Sequence, residues 1–444
     1  MIAKKYFCRI TSLLMTFLLI FPVSGCSEKP GTNNSEALET VVIQAEPAPV
    51  PPEEPVIPEE PEYVYINTFE QNKDSVDKAV EEIAATYGVM GCSVAAFEKD
   101  RIVYTHSYGV ARYNDLVKEG ENWVYTGTKS FADENTKYRV ASISKLVTAV
   151  LAMQLVDEGK LDLEDDIALL INPGLKNPYH PDVTTTVEML MSHTSGIVDG
   201  RGWDYAVSHT PFPSLDNVIK NGVFSGDCPG EKYSYSNLGM GLVAGAIEQA
   251  SGKRFYDYAR DSLFEPMGID AAYMTDYIQD RGAIAQLRLV DPVSWGKMER
   301  CYTKNIPLGQ MYLLAQGELY ISAPDLARIA MILAGDGTYE GKSYLSQESI
   351  DNMHTKRSFD PETNVTRGLA AQITPDILEG VTLCGHQGNA YGAISCVFYD
   401  TETSCGIVFL SNSASSAKAE NNIYCVNEAI IKELWKYFET EDKL

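Results

Sequence analysis

The sequence lacks the residue patterns of several enzyme and binding classes. None of its nine cysteines forms a C-x-x-C pair, and none of its six histidines belongs to an H-E-x-x-H motif. No clustered His/Cys spacing is present either, so we predict no metal ion and no cofactor. G-x-S-x-G is also absent, so the strained nucleophile turn of that motif is not supported.

Positive charge is scarce. The 444 residues include 36 Lys and Arg against 61 Asp and Glu, which gives a formal net charge of −25. This acidity argues against nucleic acid as a partner and gives no reason for direct adhesion to an anionic membrane. The 45% apolar content is enough for a large core with more than one subdomain.

The cysteines indicate free thiols and no disulfide framework. Cys8 and Cys26 lie within the first 26 residues, whose composition sets them apart from the rest of the chain, which leaves seven, an odd number. Four of these seven lie in apolar strand-like runs, where a buried free thiol is the simplest interpretation: Cys92, Cys384, Cys396 and Cys405.

The first 26 residues are typical of a secretory signal peptide. A basic start precedes an apolar stretch from Ile10 to Val23, which is too short to span a bilayer comfortably. The stretch ends in Val23-Ser24-Gly25-Cys26, which resembles a bacterial lipobox and implies cleavage before Cys26 and lipidation of its thiol. The alternative is an uncleaved or ordinary signal peptide with an incidental cysteine.

Residues 27–65 have the composition of a disordered linker. They contain eight prolines and nine glutamates, which cannot build a core. We therefore predict a lipoprotein signal peptide at residues 1–26, this linker, and a folded domain at residues 66–444. The lipid at Cys26 would hold that domain on the outer side of a bacterial cell membrane.

Ser142-Ile143-Ser144-Lys145 is the most informative motif. It joins the extended segment Tyr138–Ala141 to a predicted apolar helix over residues 142–158. Residues three apart share a helix face, so the Ser142 hydroxyl and the Lys145 amine are expected to lie side by side. A serine hydroxyl becomes a useful nucleophile when a base takes its proton. Three other S-x-x-K copies lack this context and are interpreted as solvated helix faces.

Two further motifs follow in chain order. Tyr235-Ser236-Asn237 comes first, and His386-Gln387-Gly388, the only H-x-G, comes later. The order S-x-x-K, Y-x-N, H-x-G resembles the serine penicillin-recognising hydrolases: class C β-lactamases, D-alanyl-D-alanine carboxypeptidases and the related esterases and D-aminopeptidases. The resemblance covers about residues 70 to 440.

The resemblance implies catalytic roles for the first two motifs. Ser142 would form an acyl-enzyme, with Lys145 and Tyr235 as candidate bases. A nearby ammonium is expected to lower the pKa of the Tyr235 phenol. Which of the two is the working base stays open, because they can share a proton. Asn237 would bond Lys145 and the substrate amide, although it is also a candidate helix cap.

The third motif would bind substrate. By the same resemblance, His386 lies on an edge strand lining the cleft, and Gly388 lets the substrate backbone approach closely. The backbone N–H groups of Ser142 and Asn389 would form an oxyanion hole. His193, in a His-Thr-Ser-Gly segment, is interpreted as structural. Trp203 and Tyr205 are placed in a loop that is a candidate pocket wall.

The fold class is predicted as mixed α/β (α+β). Strand-like runs occur near both ends, at Cys92–Phe97 and Ile102–Gly109 and again at Val381–Cys384, Ala393–Tyr399 and Gly406–Leu410. A polar stretch covers 112–137. A helical pattern with Pro/Gly loops runs from about 160 to 375, with helices expected at Leu238–Ala250, Phe255–Leu263 and Ala323–Ala334. Strands at both ends imply one antiparallel sheet built from the two termini and flanked by helices, beside an all-helical lobe.

These features predict a serine hydrolase acting on a small ester, amide or peptidoglycan peptide, with no prediction of its oligomeric state. The third motif begins with histidine where class C β-lactamases have lysine. A histidine is often neutral at pH 7, so its contact with a substrate carboxylate is weaker. This favours carboxypeptidase, aminopeptidase or esterase activity. Two alternatives stay open: a true β-lactamase, and a penicillin-binding or cell-wall-sensing protein without turnover.

Overall fold

The computed structural model describes residues 67–119, 122–209, 211–287, 306–361 and 363–438. In these ranges the strands β1–β13 are Gly91–Glu98, Arg101–Glu119, Asn122–Phe131, Tyr138–Arg139, Tyr320–Ile321, Thr338–Tyr339, Lys342–Ser343, Ser358–Asp360, Val365–Arg367, Gln372–Leu378, Val381–Ala390, Ala393–Asp400 and Cys405–Ser411. The α-helices α1–α12 are Thr68–Gln71, Lys73–Thr86, Ser144–Asp157, Ile167–Leu170, Val187–Met191, Arg201–Ser208, Leu215–Lys220, Asn237–Ser251, Phe255–Ala259, Ala323–Ala334, Gln347–His354 and Cys425–Trp435.

The two ends of the described chain meet in one antiparallel sheet. β1 pairs with β13, with Cys92 opposite Ser411, and the strand order among the described residues is β3-β2-β1-β13-β12-β11-β10-β9-β8. β12 and β13 are buried along their whole length, because helices cover both faces of the sheet centre. The predicted fold class is confirmed.

Helices form a layer on each face of the sheet. Val80 of α2 and Ile430 of α12 share one apolar cluster with Phe409 of β13. A second, larger cluster contains Val150 of α3 and Leu242 of α8 together with apolar residues of α10. Between β4 and β5 the described residues form helices, short turns and isolated bridges, which matches the expected helical lobe.

Two parts of the predicted organisation are wrong. The polar stretch 112–137 is largely a hairpin of β2 and β3 at the sheet edge. Residues 127–131 of β3 are exposed, so burial imposes no alternating apolar pattern on them. The sheet also resumes at Ser358 and not near Val381. β8 and β9 have three residues each, which is too short for a periodicity to be read.

The described cysteines are free thiols, as predicted. Cys92, Cys384, Cys396 and Cys405 are buried, and burial raises the pKa of each thiol. Cys301 and residues 1–66 lie outside the described residues, so the signal peptide, the Cys26 lipid and the linker stay predictions. None of the described helices combines the length and the apolar character that crossing a bilayer requires.

Candidate active site

A strained turn presents Ser142. After β4 the backbone forms a 3₁₀ turn at Ala141–Ile143 that continues into α3. Ala141 has φ 49°, in the left-handed region, which costs a residue with a side chain about 1–3 kcal/mol. The sequence predicted Ser142 in the first turn of the α-helix. The structure places it in the 3₁₀ turn just before that helix. α3 is buried on nearly all sides, whereas Ser142 is half-buried and faces a crevice.

Lys145 is fully buried next to Ser142. Its Nζ donates to Ser142 Oγ at 3.1 Å, to Asn237 Oδ1 at 2.8 Å and to the Gln316 carbonyl at 2.6 Å. Burial lowers the pKa of this amine to about 7; the Asp199 carboxylate opposes the shift and the Arg367 guanidinium adds to it. A neutral amine able to accept a proton is therefore well populated near neutral pH.

Tyr235 contacts the same oxygen atom as Lys145. Its hydroxyl donates to Ser142 Oγ at 2.9 Å. The expected lowering of its pKa is wrong. Burial raises the pKa of the phenol, and this exceeds the opposing effects of Arg367 and of the hydrogen bond to Ser142. Tyr235 is therefore protonated at neutral pH and suited to donate a proton.

Asn237 is held between Lys145 and an acidic residue that the sequence interpretation missed. Its Oδ1 accepts from Lys145, and its Nδ2 donates to Asp199 Oδ2 at 2.7 Å. Asp199 Oδ1 also accepts from the Leu238 N–H at 2.9 Å. The helix cap of α8 is Ser236, whose Oγ accepts from the Gly239 N–H. Of the two interpretations of Asn237, the structure supports the bond to Lys145.

His193 supports this segment from behind, as its structural interpretation predicted. Its ring centroid lies 4.4 Å from that of Tyr235, its Nδ1 accepts from the Ser236 N–H at 3.2 Å, and its carbonyl accepts from the Ser234 N–H at 2.8 Å. Burial holds the pKa of the imidazole well below its usual range, so the ring is neutral. His193 therefore fixes the backbone that presents Tyr235.

The third motif lies on β11. The first half of this strand has a neighbouring strand on both sides, and the second half has one on only one side. β10 pairs with β11 only as far as Gly385, so His386–Ala390 pairs with β12 alone. The expected edge position of His386 thus applies to this half. The imidazole is buried, and burial, with Arg367 and Lys145 adding, keeps its pKa well below the usual range. His386 is neutral.

Gly388 and Asn389 bring β11 next to the turn that precedes α3. A Cβ at Gly388 would lie 2.2 Å from the Val140 carbonyl oxygen. The close approach that glycine allows here is to the chain's own backbone and not, as predicted, to substrate. Asn389 lines the crevice and its Nδ2 donates to the Tyr424 hydroxyl at 2.8 Å. The oxyanion role of its backbone N–H stays a prediction.

These groups surround one crevice of about 840 Å³. Ser142, Tyr235, Asn237, His386 and Asn389 all line it. Apolar side chains form part of its wall, and they include Trp203, Val207, Phe212 and Leu313. Trp203 lies on helix α6 and not in the predicted loop, and Tyr205 of the same helix is not among the lining residues.

Three contributors escaped the sequence interpretation: Asp199, Arg367 and the Gln316 carbonyl. Asp199 follows the His193-Thr194-Ser195-Gly196 segment closely, which is the one signal that pointed to its neighbourhood. Arg367 lies on a strand too short to be predicted, and a backbone carbonyl has no residue signature. In the described part of the chain, no group of three His, Cys, Asp or Glu residues is placed to hold a metal ion.

Comparison with known families agrees with this architecture. The model of the Beta-lactamase family matches residues 76–427, well over half of the chain. The chain therefore belongs to this family, and the resemblance drawn from the three motifs is confirmed.

Individual relatives are more distant. Penicillin-binding protein 4* of Bacillus subtilis is 33% identical over 40% of this chain and 36% of its own length. The D-alanyl-D-alanine-carboxypeptidase/endopeptidase AmpH of Escherichia coli is 26% identical over 49% and 54%. The chain thus spans about half or less of these curated relatives. The octameric penicillin-binding protein homologue from Pyrococcus abyssi superimposes with a TM-score of 0.62 at 22% identity, covering 82% of this chain and 77% of that one.

Proposed function

We propose that this chain is a serine hydrolase that acylates Ser142 with a small ester or amide. The observation that carries the proposal is the position of Ser142 Oγ, which lies 3.1 Å from a buried lysine amine and 2.9 Å from a tyrosine hydroxyl. Membership of the Beta-lactamase family supports it. The similarity to AmpH, a D-alanyl-D-alanine-carboxypeptidase/endopeptidase, supports peptides ending in D-alanine as one substrate class.

The geometry supports separate roles for Lys145 as proton acceptor and Tyr235 as proton donor. Neutral Lys145 takes the hydroxyl proton as Ser142 Oγ bonds to the carbonyl carbon, and protonated Tyr235 gives its proton to the leaving atom as that bond breaks. Proton transfer from Lys145 to Tyr235 then restores both groups. Attack by water on the acyl-enzyme, assisted in the same way, releases the acid and frees Ser142.

Substrate turnover tests the proposal. The panel is p-nitrophenyl butyrate, nitrocefin and a peptide ending in D-Ala-D-Ala, with fluorophosphonate labelling as a second readout. Ser142→Ala should lower kcat/KM by at least about 10,000-fold and abolish labelling. Ser75→Ala, at an exposed S-x-x-K copy on α2, is the matched control and should change neither. Undiminished labelling of Ser142→Ala would end the proposal.

The same panel separates the alternatives. Nitrocefin turnover as the dominant activity would identify a β-lactamase. A stable penicillin adduct by intact mass, with no turnover of any ester or peptide, would identify a penicillin-binding protein. The similarity to penicillin-binding protein 4* of Bacillus subtilis supports this alternative. The neutral His386 supplies no positive charge for a substrate carboxylate, whether of a β-lactam or of a peptide ending in D-Ala-D-Ala, so the relative turnover of neutral esters is the informative comparison.

The lipid anchor is part of the proposal and rests on residues 23–26 of the sequence. Expression in a bacterial host with an alkyne fatty acid should label the wild type. Cys26→Ala should lose the label and leave the membrane fraction, whereas Cys8→Ala, the control, should keep both. A label retained in Cys26→Ala would refute lipidation at this thiol.

A further inference from the structure

A half-exposed tyrosine at the tip of a hairpin lines the crevice. Tyr391 and Gly392 form the two-residue connection between β11 and β12, in which Ala390 pairs with Ala393. Tyr391 is 46% exposed and is one of the residues that line the crevice. It lies about 7 Å along the chain from Asn389, whose backbone N–H is the predicted oxyanion donor. A group attached to a carbonyl bound at that donor can therefore reach the ring.

The backbone of this connection does not favour a tyrosine. Both of its residues have positive φ, 52° at Tyr391 and 92° at Gly392. A two-residue hairpin connection with this geometry is a type I′ turn, in which asparagine, aspartate or glycine is favoured at the first position. A bulky side chain is unfavourable there, because it is strained at positive φ. The presence of a tyrosine therefore needs a reason that lies in its side chain.

One face of the Tyr391 ring covers a buried arginine. The guanidinium carbon of Arg139 lies 4.9 Å from the ring centroid. Arg139 is ion-paired with Glu318, and its Nε donates to the Gly317 carbonyl at 3.0 Å, so its charge is balanced within the chain. Because the arginine covers one face of the ring and nearly half of Tyr391 is exposed, the other face is open to the crevice.

The hydrogen bonds of Arg139 relate Tyr391 to the acyl side of the site. Arg139 binds the Gly317 carbonyl, and the carbonyl of the preceding residue accepts from Lys145. Lys145 also donates to Asn237, the residue expected to bond the substrate amide. An acyl group bound beside Asn237 can therefore extend toward the open face of the Tyr391 ring.

Aromatic rings bury a large apolar area and gain further free energy when they stack on one another. We propose that Tyr391 stacks on an aromatic group in the acyl part of the substrate and makes the crevice selective for arylacetyl esters or amides. As a statement about turnover this rests on the proposed hydrolase function, whereas stacking itself does not require Ser142. Tyr391 would be a specificity residue and would take no part in the chemical step.

Two matched substrate pairs test the selectivity. The esters p-nitrophenyl phenylacetate and p-nitrophenyl acetate share a leaving group and differ by a phenyl ring on the acyl side. Benzyl acetate and ethyl acetate share an acyl group and differ by a phenyl ring on the leaving side. In Tyr391→Asn, the ratio of kcat/KM for the aromatic over the smaller member should fall about 3- to 30-fold for the first pair, because an aromatic contact is lost. It should stay unchanged for the second pair.

The variants separate recognition from a purely structural role. Tyr391→Asn gives the turn the residue that its backbone favours, so its melting temperature should be at least that of the wild type. Tyr391→Phe keeps the ring and should keep the ratio. Tyr179→Asn, at an exposed tyrosine that does not line the crevice, is the matched control and should also keep it.

Three results would overturn the inference. One is an unchanged acyl-side ratio in folded Tyr391→Asn, and another is a fall confined to the leaving-side pair. The third is a lower melting temperature with equal losses for all four substrates, which would show that Tyr391 only supports the hairpin.

Binding without turnover separates this inference from the hydrolase proposal. Titration of Ser142→Ala followed by NMR should show tighter binding of N-phenylacetylglycinamide than of N-acetylglycinamide, and Ser142→Ala/Tyr391→Asn should lose the difference. If the wild type turns over no substrate but this preference exists, the stacking site stands and the hydrolase proposal fails. If esters are hydrolysed and Tyr391→Asn changes neither the turnover ratio nor the binding preference, only this inference fails.

Discussion

The two walls of the crevice differ in how their polar groups are satisfied. One wall carries Ser142, Lys145 and Asn237 and is called the nucleophile wall after the role proposed for Ser142. On it, the Lys145 amine has three acceptors within 3.1 Å and Asn237 is bonded through both its amide atoms. On the facing wall, His386 Nε2 and Arg367 Nη1 are buried without a partner. The first wall is complete without substrate, whereas the second has unused hydrogen-bonding capacity.

This difference indicates a division between chemistry and recognition. Under the proposed function, groups that move protons must be held in a fixed geometry before substrate arrives, and the strained turn at Ala141 and the bonds to Lys145 would do this. Groups that recognise substrate gain most when the ligand itself completes their hydrogen bonds. Substitutions in the nucleophile wall should therefore reduce turnover of all substrates, and those in the facing wall should be more selective or act through packing.

The largest effect is expected when the Lys145 amine of the nucleophile wall is removed. Lys145→Met keeps the length of the side chain and should lower kcat/KM for every substrate by about 1,000- to 10,000-fold, because no base remains near Ser142. Lys78→Met changes the lysine of an exposed S-x-x-K copy and should be neutral. Steady-state kinetics on folded protein measure both. A loss confined to one substrate class would contradict the role of Lys145 as base.

Tyr235→Phe should give the next largest loss. The ring and its packing on His193 stay, while the proton donor 2.9 Å from Ser142 is lost, so kcat should fall about 100-fold. The loss should be smaller for p-nitrophenyl esters than for amides, because p-nitrophenolate leaves without a proton. Tyr179→Phe, at an exposed site, is the control. Equal losses for esters and amides would argue against proton donation by Tyr235.

Gly388→Ala tests the packing of the facing wall. The new Cβ would lie 2.2 Å from the Val140 carbonyl oxygen, so strand and turn must separate. We expect a loss of about 1–3 kcal/mol in the free energy of unfolding, together with reduced turnover. Gly226→Ala is the control, because no atom lies within 4 Å of its added Cβ. Chemical denaturation measures both variants, and wild-type stability for Gly388→Ala would contradict the contact.

The smallest effect on kcat/KM is expected for Asp199→Asn, for which the structure predicts the direction of a shift in the pH profile. If neutral Lys145 is the base, kcat/KM rises with pH as the amine loses its proton near pH 7. The Asp199 carboxylate raises the pKa of Lys145, so its removal should shift this limb of the pH profile to lower pH. Asp204→Asn, at an exposed position on α6, should leave the limb in place. A shift of the limb to higher pH would contradict this electrostatic account.

Local sequence was informative where structure repeats over short distances. The spacing of Ser142 and Lys145 predicted their contact, and the bounds Ala323–Ala334 of helix α10 were predicted to the residue. A cap and an apolar period specify such a helix within a few residues. The β2–β3 hairpin and the short strands β8 and β9 lack such signals, because pairing with distant residues holds them.

What the sequence determined by itself is the set of reactive groups and their order: a serine with a lysine, a tyrosine with an asparagine, and a histidine before a glycine. Only the tertiary structure decided the pKa values and the hydrogen-bond partners of those groups. Burial brings the pKa of Lys145 to about 7, raises that of Tyr235 and leaves Arg367 without a partner. Burial depends on which distant segments pack together, and no local pattern of residues records that.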